Sequence, residues 1–377
     1  MSILPAPFSP AVAALVTTSH RQRVRAEALF PDGTTYALEV EDYMLEWTER
    51  RSPRVEGTLS CALPDAATLE KLDPRTHVRI KVWAAYWLPA AAAWDEQLVA
   101  DLHLRHRSVR RPANTVTLKV AGLEALLLDN GGYAEGASDS DTGTRTAAAY
   151  IAWMGAAILE GTPSAGVPWT VEPGGLTGEY VQAAPSNQWE ELLNLAEREN
   201  LDAYDDGLRH MVVTSDAVFT PPVHELDVDP DVGTLTDSDA TMDRELWANH
   251  VLVRYTAPAP AGQSGELVIT GTATVTGGPY TPAKSHWKQM LVERDGHPTQ
   301  AKANAAARFL LRRLLSRSRG HNLEAVAAWW LRPGDTVGLT LPTGGRVLHL
   351  VSTVTFRTGG AMTLATRLPD TLTVIGE

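Results

Sequence analysis

The side chains of this sequence that could do chemistry are not spaced to do it. His103 and His106 are three residues apart in a segment that alternates like a strand, so they point to opposite faces and read as edge or surface histidines. The acidic run Asp227, Asp229, Asp231, Asp237, Asp239, Asp243 begins like a calcium loop. Its sixth position is Val232, where the loop needs Gly, and its twelfth is Ser238, where it needs a bidentate Glu. The run therefore reads as a solvated acidic loop. Glu190/Glu191 is an adjacent carboxylate pair with no cleft to serve, and Asp205/Asp206 is explained by a turn. Gly262-Gln263-Ser264-Gly265 lies in a Pro/Gly linker, not at the strand-to-helix turn a nucleophile elbow requires. No phosphate-cradling Gly loop, dinucleotide fingerprint or His-Glu-x-x-His is present. No catalytic, cofactor-binding or metal-binding residues are expected.

Two groups suit contact better than catalysis. Arg308, Arg312, Arg313, Arg317 and Arg319 gather at the end of one helical stretch, where they complement the helix dipole and suit a subunit contact. Trp329 and Trp330 are adjacent in a strand-like run and so face opposite ways, which predicts that one of them is exposed or packed against something else.

Composition narrows the class. The chain has 377 residues, 44% hydrophobic and 21% charged, which is the range of folded globular proteins with more than one domain. Lys plus Arg is 33 and Asp plus Glu is 45, a net charge of −12 that argues against wrapping DNA through its phosphates. The single Cys61 allows no intrachain disulfide and no multi-cysteine zinc site. No apolar run approaches the ~20 residues a membrane helix needs. Met1 to Ser9 has no basic segment leading an apolar one, so no signal peptide is expected and the chain is read as made in a reducing cytoplasm.

The elements that must position these residues are mostly strands. Arg23–Leu29 and Thr35–Val40 flank Pro31-Asp32-Gly33, a hairpin turn. Val55–Leu63, Val78–Trp87, Leu98–Val109 and Thr115–Val120 alternate with period two, and Asp65–Leu72 is a short helical piece; together they suggest a small antiparallel barrel or sandwich. Asn130-Gly131-Gly132 marks a boundary. After it, Arg145–Leu159 reads as a helix. A second helix carries Trp189, Leu192, Leu193 and Ala196 on one face, with Ser186 as N-cap and Asn200 as stop. A hairpin around Asp205-Asp206-Gly207 follows. Farther on come strands at Asn249–Tyr255 and Glu266–Val275, then a helix from Thr299 to about Arg319 with Gly320 past its end. Strands at Leu323–Leu331, Thr336–Leu341, Val347–Phe356 and Ala361–Arg367 complete the chain, with a type II turn at Arg332-Pro333-Gly334-Asp335. The result is an α+β chain, mainly β, in three segments: 1–128, 129–213 and 214–377.

A weak repeat runs through it. Thr76–Trp83, Leu98–Ser108 and Thr115–Gly122 follow the same strand-turn-strand order as Asp335–Leu341, Arg346–Arg357 and Ala361–Arg367. Their third strands carry Thr117-Leu118 and Thr363-Leu364. The order of weak motifs resembles the central hub proteins of long-tailed bacteriophages, also called baseplate hub, tail-tip or minor tail proteins. The resemblance rests on Leu59–Leu63 with the strands up to Leu123, on Gln188–Leu193 leading to Tyr204–Gly207, on Arg244–Val253, and on Leu331–Val337 with Gly360–Leu364. It extends from about Arg21 to Leu368.

The resemblance implies two tube-like antiparallel β-barrel domains with an inserted helix-hairpin domain, and a homotrimer that offers six barrels to a hexameric tail tube. The partners it implies are a distal tail or tail tube protein above and tail-tip or receptor-binding proteins below. A tape measure protein would lie in the lumen, and viral DNA would pass without sequence-specific binding. It implies no cofactor and no membrane segment, and a location in the virion after synthesis in the host cytoplasm. Because the chain ends soon after the second β run, host recognition and wall cleavage are expected of other subunits. The residues expected near ring contacts are Val78, Ile80, Val82, Arg308, Arg312, Trp329, Trp330, Val337 and Leu339. The alternatives are a receptor- or carbohydrate-binding β protein using surface tryptophans, and a cell-wall hydrolase.

Overall fold

The computed structural model describes every residue except 1–7, 17–19, 130–144, 161, 173–176, 179–187, 216–219, 228–233, 243, 246, 259–264, 296–297, 342–344, 369–374 and 377. The N-terminal part holds α1 (Pro10–Leu15), β1 (Gln22–Leu29), β2 (Thr35–Leu38), β3 (Val40–Thr48), β4 (Val55–Ala62), α2 (Ala66–Lys71), β5 (Arg79–Leu88), β6 (Ala93–Arg110), β7 (Thr115–Ala121) and α3 (Glu124–Asp129). Next come β8 (Arg145–Thr146), α4 (Ala147–Leu159), β9 (Trp169–Val171), β10 (Thr177–Gly178), α5 (Gln188–Arg198), β11 (Leu201–Asp205) and β12 (Met211–Ser215). The rest comprises β13 (His224–Asp227), β14 (Leu235–Met242), β15 (His250–Pro258), β16 (Glu266–Val275), α6 (Pro282–Ser285), β17 (Gln289–Asp295), α7 (Gln300–Arg317), β18 (Arg319–Val326), β19 (Thr336–Thr340), β20 (Val347–Arg357), β21 (Ala361–Arg367) and β22 (Ile375–Gly376). The chain is mainly β, as its alternation predicts.

One 13-stranded sheet contains strands from both ends of the chain, in the order β14-β18-β21-β20-β3-β4-β7-β6-β5-β1-β2, with β19 on β20 and β13 on β19. Among the described residues this path does not close on itself. It consists of one arrangement used twice. The run β3-β4-β7-β6-β5 is matched strand for strand by β14-β18-β21-β20-β19. The irregularities match as well. A bulge interrupts β6 between Leu104 and His106 against β7, and another interrupts β20 between Val351 and Thr353 against β21. Bulges also fall between Val40 and Asp42 on β3 and between Leu235 and Asp237 on β14. Leu59 opposite Leu118 corresponds to Leu323 opposite Leu364, and Thr117-Leu118 corresponds to Thr363-Leu364. A bulge is a specific local insertion, so four of them at matching positions make chance similarity of two β runs a poor explanation.

The apolar side chains gather into three clusters. The largest lines the 13-stranded sheet and draws on both halves, from Leu45, Trp47 and Leu59 to Phe356 and Leu364. β4 shows why the strand forms: Val55, Gly57, Leu59 and Cys61 turn inward while Glu56, Thr58 and Ser60 turn outward. The second cluster joins α3, α4, α5 and the β11–β12 hairpin through Leu127, Ile151, Trp189 and Met211. Asn200 adopts φ +60 in the turn two residues past the end of α5, the stop expected of it, and Gly207 takes φ +89 in the hairpin. The expected N-cap Ser186 lies outside the described residues.

The third cluster lies between α7 and the sheet β17-β15-β16-β22. Thr299 caps α7, its hydroxyl accepting from Lys302 N at 3.3 Å. Ala303, Ala306, Ala307, Leu310 and Leu311 form the buried stripe. The helix approaches so closely that a Cβ on Gly271 of β16 would lie 2.0 Å from the Ala303 carbonyl oxygen. Gly271→Ala is therefore expected to lose about 1–3 kcal/mol, because helix backbone must move to admit one methyl. Thr272→Ala, on the other face of the same strand, should cost well under that. Thermal unfolding of the two variants side by side checks the difference.

Three expectations are corrected. Gly320 is not the residue that ends the long helix. Ser318 caps α7 in αR geometry and the chain enters β18 at once. Gly320 is small because a Cβ there would meet Thr366 O at 2.1 Å. The strand expected to reach Leu331 stops at Val326, and Trp329-Trp330 lie in the turn that follows. The acidic run is not wholly loop: Asp237 and Asp239 sit in β14 on the sheet's edge. An edge strand with both side-chain faces toward solvent carries no apolar alternation to betray it.

Candidate assembly interface

The two halves of the large sheet are joined by an antiparallel ladder between β20 and β3, with Thr353 opposite Thr48, Thr355 opposite Glu46 and Arg357 opposite Met44. Aromatic rings fill the core behind this joint. Trp329 stacks on Phe356 with centroids 4.1 Å apart, and Trp47 meets Phe356 edge-on at 5.7 Å. The Tyr86 hydroxyl donates to Ala327 O at 2.6 Å and accepts from Trp329 N at 3.2 Å. Burial pushes its pKa well above the ordinary phenol range, so it stays a donor. At one end of the joint Arg367 grips Glu49 through two hydrogen bonds of 3.2 and 3.1 Å, with both side chains almost fully buried.

Beside the joint, charged groups from three parts of the chain converge. Arg54, 5% exposed, donates to Asp202 Oδ2 at 3.1 Å and to Pro333 O at 2.7 Å, and its guanidinium lies 3.6 Å from the centre of the Tyr204 ring. Glu124 Oε1 accepts from Arg54 N at 3.1 Å and from Asp205 N at 3.0 Å, while Asp205 Oδ2 accepts from Leu123 N at 2.7 Å. Both carboxyls are fully buried, which pushes Glu124 up to about 7 and Asp205 up to about 8, the latter also raised by the charge of Asp206. Arg332 lies over the Trp47 ring at 4.5 Å and donates to Trp329 O, Leu331 O and Val99 O, and burial lowers its pKa to about 10. Its own N–H donates to Asp335 Oδ2 at 2.8 Å, closing the expected turn with Gly334 at φ +94. The hairpin tip between β11 and β12 reaches β6: Asp101 N donates to Gly207 O at 2.8 Å, and Arg209 Nη1 lies 3.0 Å from His103 Nε2. Burial and the Arg209 charge hold His103 neutral, with a pKa lowered to about 3. These contacts position elements; among the described residues, no group of three or more His, Cys, Asp or Glu is placed to hold a metal ion.

The residues expected near ring contacts divide in two. Val78, Ile80, Val82, Val337, Leu339 and Trp329 point into the chain's own largest cluster, and Trp330 is half-buried against it. Arg308 and Arg312 lie on α7, Arg312 exposed and Arg308 half-buried. The feature sequence reasoning missed is backbone, not side chain. Among the described residues β14 pairs only with β18, and β6 beyond Leu104, whose N–H donates to Val78 O, pairs only with β7, so each leaves one edge of hydrogen-bonding groups unpaired by the described strands around it. The matching bulges were the only signal, and a bulge is not readable from one sequence.

No family profile and no curated protein matches this sequence. Solved structures do. A tail protein from Neisseria meningitidis MC58 superposes with a TM-score of 0.63 at 14% identity, covering 91% of this chain and 96% of its own. The 43 kDa tail protein of prophage MuSo2 from Shewanella oneidensis gives 0.62 at 11% identity, with 92% and 98% covered. Prophage tail protein gp18 from Listeria monocytogenes EGD-e gives 0.54 at 12%, with 91% and 94% covered. The likeness covers nearly the whole of each chain, so it concerns the complete arrangement of sheet, insert and helix. This chain has the fold of phage tail proteins, the family its sequence resembles.

Proposed function

We propose that the chain is a structural tail hub protein. Three copies form a ring, each contributing two tube-like β halves, so that six halves face a hexameric tail tube and the ring joins tube to tip. The observation that carries this reading is the repeat. One strand arrangement, with its bulges, is used twice in one chain and the copies are joined edge to edge. A chain built this way supplies two quasi-equivalent units, and three such chains supply the six a hexameric neighbour requires. We take 1–128 and 214–377 as the parts contributing the two halves and 129–213 as the insert. Tail tube or distal tail protein is the partner above and tail-tip or receptor-binding protein the partner below. The lumen takes the tape measure protein and then the genome. The net charge of −12 suits a channel that DNA must leave without sticking. The fold neighbours are tail proteins, which supports a structural role over a hydrolase.

The native mass of the purified protein across a range of concentrations tests the ring. The expected result is a species of three chains whose population rises with concentration. A series running to two, four or more chains without a stop at three would overturn it.

A further inference from the structure

The internal joint predicts the joint between chains. Strand registers align the two halves residue by residue. Ladder by ladder, Val109 of β6 corresponds to Phe356 of β20, and Arg110 corresponds to Arg357. On the other strand, Trp47 of β3 corresponds to Met242 of β14, and Met44 corresponds to Asp239. Within the chain β20 pairs with β3. Among the described residues their counterparts, β6 and β14, do not pair with each other, and both stand open on the equivalent edge.

Two further observations mark these edges as interrupted contacts. Phe356 and Trp47 are 0% exposed, but Val109 is 36% and Met242 78% exposed. The apolar residues that the second joint should cover are thus the ones left uncovered in a single chain. Charge is complementary too. On the open stretch of β6, Arg105 is already paired with Asp129 and Arg107 donates to the Leu69 and Leu72 carbonyls, so the cation offered to the Asp237 and Asp239 of β14 is the exposed Arg110.

We propose that residues 107–110 of β6 pair antiparallel with residues 239–242 of β14 from a second copy of this chain, in the register of the β20–β3 ladder. Arg110 then lies opposite Asp239, Val109 opposite Ala240, Ser108 opposite Thr241 and Arg107 opposite Met242. The contact is head-to-tail, so it propagates from copy to copy and ends only when the ring closes. The inference rests on the ring reading for the number of copies, but not for the pairing itself.

The test uses the full chain carrying Ser108→Cys and Thr241→Cys. Their counterparts Thr355 and Glu46 lie side by side, Thr355 Oγ1 donating to Glu46 Oε2 at 3.3 Å, so the two thiols fall within disulfide reach across the joint. Both positions are exposed, so the fold tolerates the change, and the native Cys61 is buried. Mild oxidation should give covalent species of two and three chains and none larger, while either single variant gives none. A ladder that continues past three keeps the pairing and overturns the ring. A native mass of three chains with no cross-link overturns the pairing and keeps the ring. One chain by both measures overturns both. As a second arm, Arg110→Asp or Asp239→Arg alone should shift assembly to higher concentration, and the double exchange should restore it. Equal assembly by all three would overturn the register.

Discussion

Arg54→Ala should be among the most damaging single substitutions on this chain, losing about 3–5 kcal/mol of stability. The reason is position. Arg54 is nearly fully buried and bonds Asp202 of the insert and the Pro333 carbonyl of the C-terminal half, while its backbone N–H holds Glu124. Truncation strands Asp202 and the carbonyl without a donor and removes the cation from the Tyr204 face. Arg54→Met separates the causes: it restores most of the volume and none of the charge, so it should remain within about 1 kcal/mol of the alanine variant. Arg51 supplies the control. It pairs with Glu46 and Glu56 on the exposed side of the same loop, and Arg51→Ala should cost about 0–1 kcal/mol. Urea unfolding followed by tryptophan fluorescence measures all three. An Arg54→Ala midpoint no lower than that of Arg51→Ala would show that the junction does not hold the three parts together.

What the sequence disclosed about this junction, and what it withheld, follows from how each residue signals. Local geometry was readable. Pro31-Asp32-Gly33, Asp205-Asp206-Gly207 and Arg332–Asp335 are turns because Gly or Pro fixes the backbone there, whatever surrounds them. Thr299 capped α7, and Asn200 ended α5, for equally local reasons. The likeness between Thr117-Leu118 and Thr363-Leu364 was also visible and proved to be in register. Arg54, Glu124 and Arg332 were invisible as a group. Each is a charged residue beside a turn, the commonest place for a solvated charge. Their burial depends on partners 148 and 279 positions away.

The open edges failed to show for a related reason. Edge pairing is made by N–H and C=O groups that every residue carries, so composition says nothing about it. The strand residues expected near ring contacts, Val78, Ile80, Val337 and Leu339, alternate because the chain's own core takes them. Alternation reports burial within a chain. A surface kept for another copy reads as polar strand, and β14 (LTDSDATM) reads that way.

The protein should also be most stable in mildly acidic solution and lose stability from about pH 6 to about pH 8.5. Burial raises Asp205 to about 8, Glu124 to about 7 and Asp335 to about 6. Between the ordinary carboxyl value and these raised values the native state holds protons that the unfolded chain has released. Stability therefore falls as pH rises, and the fall ends once Asp205 has ionised. Three histidines oppose it at lower pH. Burial lowers His103 to about 3 and His224 and His349 to about 4. Below about 6.5 the unfolded chain binds protons there that the native state refuses, so stability rises with pH in that range. The two effects offset each other near pH 5 to 6, and above it only the carboxyls remain. The net loss from about pH 6 to about 8.5 is on the order of 3 kcal/mol. Asp205→Asn should flatten most of this decline, because the amide still accepts from Leu123 N and has nothing to ionise. At about pH 8.5 the variant should match or exceed the wild type, and at about pH 6 it should not. Parallel urea midpoints for the two proteins across that range would mean that Asp205 is already ionised in the folded chain, with Arg209 as the cation that compensates its charge.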